Sequence, residues 1–476
     1  MPSPNLLRRA LYAAVIGLSA VGSVGQAAMG WRLDGSAVSA DARPPVDWST
    51  THRAWSTTLP AWSNASPVPM GNLILVEAEP TTLIGVDAAT GRIAWQVKND
   101  YIDTLPAAER PAFQSRIDAL PGLQTALKEA VAEVSRLRKV ARSADAPADT
   151  AQRIQAFTAV MDALKSQIDG LTPYITPPDK DIIGYSSATP VTDGSRAYAM
   201  FGQGVLSAVD TSGRKLWTTW LGKAPRPMRG YEFGSVTSPL LVDGVLVIGH
   251  ANLQGIDPAT GRVLWKGPAW NHYGTPAVAQ IGGRAFVITP DGKAIRARDG
   301  AEVARGMADL WYTGPVVAGD IAVWAGGFGH ENQPDNTKAV AWRLADNGAG
   351  GLSPTRLWER PFANGARVYA PPVVFQGNAH VVDWKGNVTV IDVSTGADVA
   401  TYALGDQLAG TVYSPPQVAG GKLVFASETG VVLFGTPGAT WSLEARTSAG
   451  SVSRATPLFL GDRAFVRSAS GLAAYR

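Results

Sequence analysis

The chain has 476 residues, of which 45% are hydrophobic and 17% charged, and its formal net charge is +3. It contains 51 glycines and 33 prolines but no cysteine, which excludes disulfides, thiolate metal sites, cysteine nucleophiles and c-type haem attachment. So balanced a charge gives no basic surface for nucleic acid, and we expect no nucleic-acid partner.

Residues 1–28 have the order of a secretory signal peptide. Arg8 and Arg9 precede an apolar run, and small residues end it at Ala27 or Ala28. We therefore predict a periplasmic or extracellular protein after cleavage. An uncleaved N-terminal membrane anchor is the alternative, although the run is short and interrupted by Gly and Ser.

Two short sequence motifs, called phrases below, recur after residue 28. In the first, an apolar strand ends in Asp, a Thr-Gly or Ser-Gly turn follows, and a tryptophan lies four residues after the glycine, as in GVDAATGRIAWQV from Gly85 to Val97. These tryptophans are Trp95, Trp217 and Trp265, whereas the fourth copy has Ala400. The second phrase is a short strand opened by a proline, and it occurs eight times. The opening prolines are Pro67, Pro190, Pro239, Pro276, Pro315, Pro372, Pro416 and Pro457.

Each unit predicts four antiparallel strands, the content of one propeller blade. The last unit, ending in GLAAYR, is one strand short, and RAWSTTLP from Arg53 to Pro60 resembles the outer-strand phrase KLWTTWLG. We therefore predict an all-β, eight-bladed β-propeller of four-stranded antiparallel blades. Residues 46–98 would hold the closing strand and blade 1, and residues 182–476 blades 2 to 8. Closure removes an edge strand that would otherwise favour aggregation.

Residues 99–181 interrupt the repeat between blades 1 and 2. Apolar residues spaced alternately four and three apart, from Leu123 to Ala141 and from Ile154 to Leu171, predict two helices with narrow coiled-coil seams. The expected antiparallel helical hairpin is about 35 Å long. Either its seams only bury each other, or it is an arm for a partner protein. The basic residues near its tip complement the helix dipole or form a docking patch; they are Arg136, Arg138, Lys139 and Arg142.

The repeated Asp, Thr-Gly turn and Trp resemble the repeat of the pyrroloquinoline-quinone-type (PQQ-like) propeller family, over nearly all of residues 50–476 apart from the insertion. That family includes quinoprotein alcohol dehydrogenases and the non-catalytic BamB group of the outer-membrane β-barrel assembly machinery. The resemblance implies that Trp95, Trp217 and Trp265 dock neighbouring blades.

Four consecutive blades carry a tyrosine three residues before the opening proline. Because the first strand of a blade is innermost, these aromatics are expected to ring one mouth of the central funnel, together with arginines from the links between blades. The residues are Tyr273, Tyr312, Tyr369 and Tyr413, with Tyr185 and Phe233 nearby in blades 2 and 3, and Arg226, Arg229 and Arg367. Such a mouth is typical of a binding surface. The alternative is that each tyrosine packs only on the next blade.

A long loop in blade 5 contains His330, Glu331 and Asp335. No other residues supply metal-ligand spacing around them, so we predict a solvated loop and no metal site.

These patterns favour an exported, non-catalytic propeller that acts as a protein–protein interaction scaffold, and the resemblance implies a role in envelope or outer-membrane protein assembly. The alternatives are a carbohydrate or small-ligand sensor and, less favoured, a quinoprotein dehydrogenase.

Family dehydrogenases use a vicinal disulfide, which a protein without cysteine cannot form, and calcium ligands that match no motif here. We therefore expect no enzymatic activity and neither PQQ nor calcium. The expected partner is an envelope or secreted protein, through which the propeller can associate with a membrane surface; a glycan is the alternative.

Overall fold

The structure is a computed structural model. It describes residues 28–171, 174–175, 184, 187–202, 204–222, 237–270, 272–310, 312–327, 336–362, 366–438 and 440–476. Within these residues, thirty-three strands form eight sheets, each containing one antiparallel four-stranded blade, and one of the sheets has an additional strand, β1 (Val38–Ser39), paired in parallel at its inner edge. The eight-bladed propeller predicted from the sequence is confirmed. Apart from Ala28, the predicted signal peptide lies outside the described residues.

Blades 1 to 7 each use four consecutive strands, ordered from the centre outward. Blades 1 to 3 consist of β3–β6 (Val68–Met70, Leu73–Ala78, Thr82–Asp87, Ile93–Lys98), β7–β10 (Val191–Thr192, Arg196–Phe201, Val205–Asp210, Lys215–Trp220) and β11–β14 (Leu240–Val242, Val245–Gly249, Asn252–Ile256, Val263–Ala269). Blades 4 and 5 consist of β15–β18 (Ala277–Ile281, Arg284–Ile288, Ala294–Arg296, Glu302–Ala304) and β19–β22 (Val316–Ala318, Ile321–Gly327, Thr337–Asp346, Leu352–Pro361). Blades 6 and 7 consist of β23–β26 (Val373–Phe375, Asn378–Val382, Asn387–Asp392, Asp398–Ala403) and β27–β30 (Gln417–Ala419, Lys422–Ala426, Val431–Thr436, Ser442–Ser448).

Blade 8 closes the ring with strands from both ends of the sequence. Its sheet contains β31 (Leu458–Leu460), β32 (Arg463–Ser468), β33 (Gly471–Tyr475) and, at the outer edge, β2 (Arg53–Thr58). The register places Trp55 opposite Ala474. The phrase RAWSTTLP therefore supplies the strand that the last repeat lacks.

The hydrophobic core lies between neighbouring blades. The second strand of blade 1, LILVEA, is buried along its whole length because both of its faces contact another blade. Leu75 from one face joins Phe201 of blade 2, and Val76 from the other face joins Phe465 of blade 8. Such strands read as continuous apolar runs for this reason.

The repeat tryptophans connect each blade to the next one. The indole Nε1 of Trp95 donates to the backbone oxygen of Thr211 at 3.0 Å, and the ring covers Gly213 in the next turn. Trp217 donates in the same way to Pro258 and Trp265 to Ala297, each at 3.0 Å. Two tryptophans that the sequence reasoning did not single out make the same contact: Trp55 donates to Ala88 and Trp358 to Val393.

An N-terminal strap, residues 28–48, crosses the inner strands of the propeller. Met29 exchanges backbone hydrogen bonds with Thr192 of blade 2, and β1 (Val38–Ser39) pairs in parallel with β27 of blade 7. Between these points the buried guanidinium of Arg32 donates to the Pro372 oxygen of blade 6 at 2.6 Å. The sequence-based boundary at residue 46 did not include this segment, which ties together inner strands of blades far apart in sequence.

The described residues of the insertion after blade 1 form three α-helices, α1 (Arg110–Asp118), α2 (Leu120–Val140) and α3 (Thr150–Leu171). The apolar seams of α2 and α3 face each other, with Val134, Leu137 and Leu171 buried. The base of the insertion packs on the outermost strand of blade 2. There the rings of Tyr101, Phe113, Tyr174 and Trp220 form one cluster, with Tyr101 and Trp220 centroids 5.0 Å apart.

Candidate functional site

The four predicted tyrosines form one continuous row across blades 4 to 7. Tyr273 stacks on Tyr312 with ring centroids 5.5 Å apart, and Tyr312 meets Tyr369 edge-to-face at 6.3 Å. Tyr369 then stacks on Tyr413 at 5.4 Å. All four side chains are half-buried. In this tyrosine row, each ring is therefore held in its orientation by its neighbour, and part of each ring stays exposed.

In blades 8 and 1, the position three residues before the opening proline holds a polar residue instead of a tyrosine. Arg454 lies three residues before Pro457 in blade 8, and its guanidinium lies over the ring of Tyr413, 5.9 Å from the centroid. Asn64 has the equivalent position before Pro67 in blade 1. The sequence reasoning missed both because it searched this position for aromatics; comparing the third residue before every opening proline would have found them.

The phenol groups at the two ends of the row, those of Tyr273 and Tyr413, stay protonated at neutral pH. Burial raises the pKa of Tyr273, and burial together with the nearby Glu428 carboxylate raises the pKa of Tyr413. Glu428 also forms an ion pair with Arg454, with 3.2 Å between Oε2 and Nη2. The row thus presents aromatic rings that end at a guanidinium with a carboxylate beside it.

Other residues predicted for this mouth are only partly described. Arg367 is half-buried, lies two positions before Tyr369, and its backbone oxygen accepts a hydrogen bond from the Trp384 amide at 2.8 Å. The remaining ones lie outside the described residues: Tyr185, Phe233, Arg226 and Arg229, as do His330, Glu331 and Asp335 of the blade 5 loop. Within the described part of the protein, no group of three His, Asp or Glu side chains is placed to hold a metal ion.

The basic residues of the helical arm divide into two kinds. Arg136 forms two hydrogen bonds of 2.7 Å with Glu133, and Arg153 of α3 approaches the same carboxylate at 3.3 Å. Arg153 therefore connects α3 to α2 through Glu133, and Arg136 pairs with that carboxylate within α2. Arg138, Lys139 and Arg142 are exposed at the end of α2 and just beyond it, and make no ion pair with the described residues. Among the residues that the structure describes, no helix has the length and hydrophobicity to span a membrane.

Comparisons with known proteins agree with this architecture. The family described as outer membrane protein assembly factor BamB matches residues 37–137 and 177–303. No curated protein matches the sequence. The crystal structure of BamB from Moraxella catarrhalis is similar with a TM-score of 0.52 and 13% identity, covering 89% of this chain and 98% of that one.

A computationally designed protein, Ika8, is similar to nearly the same degree, with a TM-score of 0.50, 12% identity, and coverage of 89% of this chain and 99% of that one. Structural similarity at such low identity shows only the fold, whereas the resemblance to a particular family comes from the sequence match. Together with the repeated Trp–Gly contacts, that match shows that the chain is similar to the PQQ-like β-propeller repeat family and to BamB.

Proposed function

We propose that this protein is an exported, non-catalytic propeller that acts as a protein–protein interaction scaffold in outer-membrane protein assembly, working in the periplasm. The description of the matched family supports the process. The order of charged, apolar and small residues in positions 1–28 supports export.

The observation that carries the proposal is the tyrosine row. Tyrosine side chains offer a large contact area at a low cost in conformational entropy, and tyrosine and arginine are enriched among the residues that dominate protein interfaces. Here each ring already contacts the next one, from Tyr273 to Tyr413, so binding a partner orders little that was free before. The row suits an extended segment of a partner protein.

A non-catalytic role is part of the same proposal. It is supported by the absence of cysteine, since the family's dehydrogenases place a vicinal disulfide against their quinone. Purified protein incubated with PQQ and calcium should show no alcohol- or sugar-dependent dye reduction. Sustained quinone-dependent turnover would overturn this part of the proposal.

The partner surface is tested by affinity capture from the native host with the double variant Tyr312→Ala/Tyr369→Ala. We expect capture of the wild type's protein partner to fall at least about tenfold, while the melting temperature stays within a few degrees. The matched control is Tyr402→Ala, which also removes a stacked tyrosine, but one whose partner Trp441 lies outside the row. Equal capture by both variants would remove the row from the interface, and retention of glycans in place of proteins would favour a carbohydrate sensor.

A further inference from the structure

A cavity of about 270 Å³ lies where the tyrosine row reaches the joint between blades 8 and 1. Its lining includes Arg454 and Asn64, the two residues that continue the register of the tyrosines, and also Trp62, Ser453 and Arg467. Arg454 links the cavity to the row, because it lines the cavity and its guanidinium lies 5.9 Å from the centroid of the Tyr413 ring.

Arg467 places a buried positive charge at this cavity. Arg467 is only 1% exposed, and no carboxylate among the described residues lies within ion-pair distance of its guanidinium. The Nη2 group donates to the Ala61 oxygen of blade 1 at 2.6 Å, and Nη1 donates to backbone oxygens of blade 8, but Nε has no hydrogen-bond partner within the described part of the protein. Burial lowers the pKa of Arg467 to about 10, so the guanidinium is still charged at neutral pH.

The acidic groups near the cavity are Glu428, Glu77 and Glu79, of which Glu79 donates its backbone amide to the oxygen of the lining residue Trp62 and contributes to the raised pKa of Glu77. Glu428 compensates Arg454 through the 3.2 Å ion pair. Glu77, whose backbone oxygen accepts from Arg467, is fully buried, and burial raises the pKa of its carboxyl well above the ordinary value. Arg467 thus lies at the cavity without a carboxylate partner among the described residues, beside aromatic rings and small polar side chains.

We propose that this cavity is an anion pocket that binds a carboxylate carried by the partner segment lying along the tyrosine row. A guanidinium matches a planar carboxylate with two parallel hydrogen bonds. A singly charged carboxylate is also repelled less by Glu428 than a doubly charged phosphate would be. The carboxylate comes from an Asp or Glu side chain or from the C-terminus of a polypeptide. This inference rests on the proposed scaffold function and adds the chemistry of the segment that is recognised.

The test uses three short peptides and the full-length protein in calorimetric or fluorescence titrations. The probes are acetyl-Tyr-Gly-Phe with a free carboxyl terminus, the same peptide as its C-terminal amide, and acetyl-Tyr-Gly-Glu-amide. We expect at least one of the two carboxylate peptides to bind the wild type at least about tenfold more tightly than the neutral peptide. Binding only by the first assigns the pocket to a terminus, and binding only by the third assigns it to an acidic side chain.

The variants separate a ligand contact from a structural role. Arg454→Gln should abolish the preference for carboxylate, and Glu428→Gln should strengthen carboxylate binding several-fold because it removes the competing intramolecular carboxylate. The double variant Arg454→Gln/Glu428→Gln removes both charges of the ion pair, so neither residue is left as an unpaired charge. It therefore controls for misfolding of the single variants. Arg356→Gln is the matched control. Arg356 also forms an ion pair with a glutamate, Glu359, at 3.4 Å, but this pair lies away from the tyrosine row.

Equal binding of the charged and neutral peptides by the wild type would overturn the pocket, and so would an unchanged carboxylate preference in the double variant. Displacement by glucuronate without peptide binding would also overturn it, in favour of an acidic glycan. Equal capture of the host partner by wild type and Arg454→Gln rejects the pocket but keeps the scaffold. If the wild type captures no protein, the scaffold fails, while an Arg454-dependent carboxylate preference still upholds the pocket.

Discussion

The indole ring of Trp95 in blade 1 lies against Gly213 in blade 2, so closely that a β-carbon on this glycine would lie 2.6 Å from the ring. Gly213 also has a φ of +82°, a conformation that favours glycine. Four further tryptophans cover the turn glycine of the following blade in the same way. The repeat thus encodes a contact between blades, since tryptophan and glycine are needed at complementary positions of successive units.

Replacing Gly213 with alanine should destabilise the propeller by about 2–4 kcal/mol, because the methyl group adds left-handed backbone strain and also displaces the Trp95 ring. The control is Gly244→Ala, where φ is +71° but no atom lies within 4 Å of the added β-carbon. This control should cost only the backbone strain, about 1–2 kcal/mol. Urea unfolding of both variants measures the difference, and equal losses would show that the ring contact contributes nothing.

The fold was predictable because its determinants recur in register. Eight proline-opened strands and the Trp-containing turn repeat often enough to define a blade, and RAWSTTLP could be matched to an outer strand by its resemblance to KLWTTWLG. The tyrosine row was predictable for the same reason. Arg454 and Asn64 share that register, but a search for one residue type passes over positions where the chemistry changes.

The strap and the anion pocket could not be predicted in this way. Arg32 donates to Pro372, 340 positions away, and no repeat or hydrophobic period marks this pairing. The cavity beside Arg467 exists only because the first and last strands of the propeller meet between blades 8 and 1. Such contacts depend on closure of the ring, which local patterns do not specify.

Two N-terminal deletions should separate the strap from the closing strand. Removing residues 1–45 leaves β2 in blade 8, so we expect a folded monomer whose melting temperature falls by a few degrees, on the order of 5 °C, because the pairings at Met29 and Val38 are lost. Removing residues 1–60 also deletes β2 and leaves β33 as an open edge, so this variant should aggregate. Light scattering and thermal melts distinguish the two, and a monomeric 1–60 deletion with wild-type melting would refute closure by β2.

His380 should make the propeller sensitive to acid. It is 1% exposed on β24, paired with Val373 and Val390, and burial lowers its pKa to about 4 from the ordinary 6.5. As pH falls from 6.5 to 4, the unfolded state binds this proton before the folded state does, so stability is lost, by up to about 3 kcal/mol from this residue. His380→Leu cannot bind the proton and should lose correspondingly less stability over that window.

The measurement is the free energy of unfolding in urea at steps between pH 7.5 and 4 for both proteins. Above pH 7 the two curves should differ by a constant, because the imidazole is neutral in both states there. Curves that stay parallel down to pH 4 would contradict the assignment to His380.

The distal part of the helical arm should be dispensable for folding and needed for full partner binding. Replacing residues 126–166 with a four-residue Gly/Ser linker keeps the base, where Tyr101, Phe113 and Trp220 pack together, and keeps the buried Asn99, which donates to the Thr81 and Val97 oxygens. The melting temperature should stay within about 2 °C, since the removed seams contact mainly each other and long surface loops cost little to close.

The truncated protein should nevertheless capture less of the host partner. The arm leaves the propeller in the link between blades 1 and 2, and the tyrosine row lies in the equivalent links of blades 4 to 7, so both belong to the same face and can engage one partner together. The triple reversal Arg138→Glu/Lys139→Glu/Arg142→Glu should reproduce the loss without shortening the arm, because these three side chains are exposed and form no ion pair among the described residues. Arg136 is left unchanged because it pairs with Glu133, the carboxylate through which Arg153 connects α3 to α2. An unfolded truncation would identify the arm as a structural strut, and a folded truncation that captures as much partner as the wild type would leave the tyrosine row as the working surface.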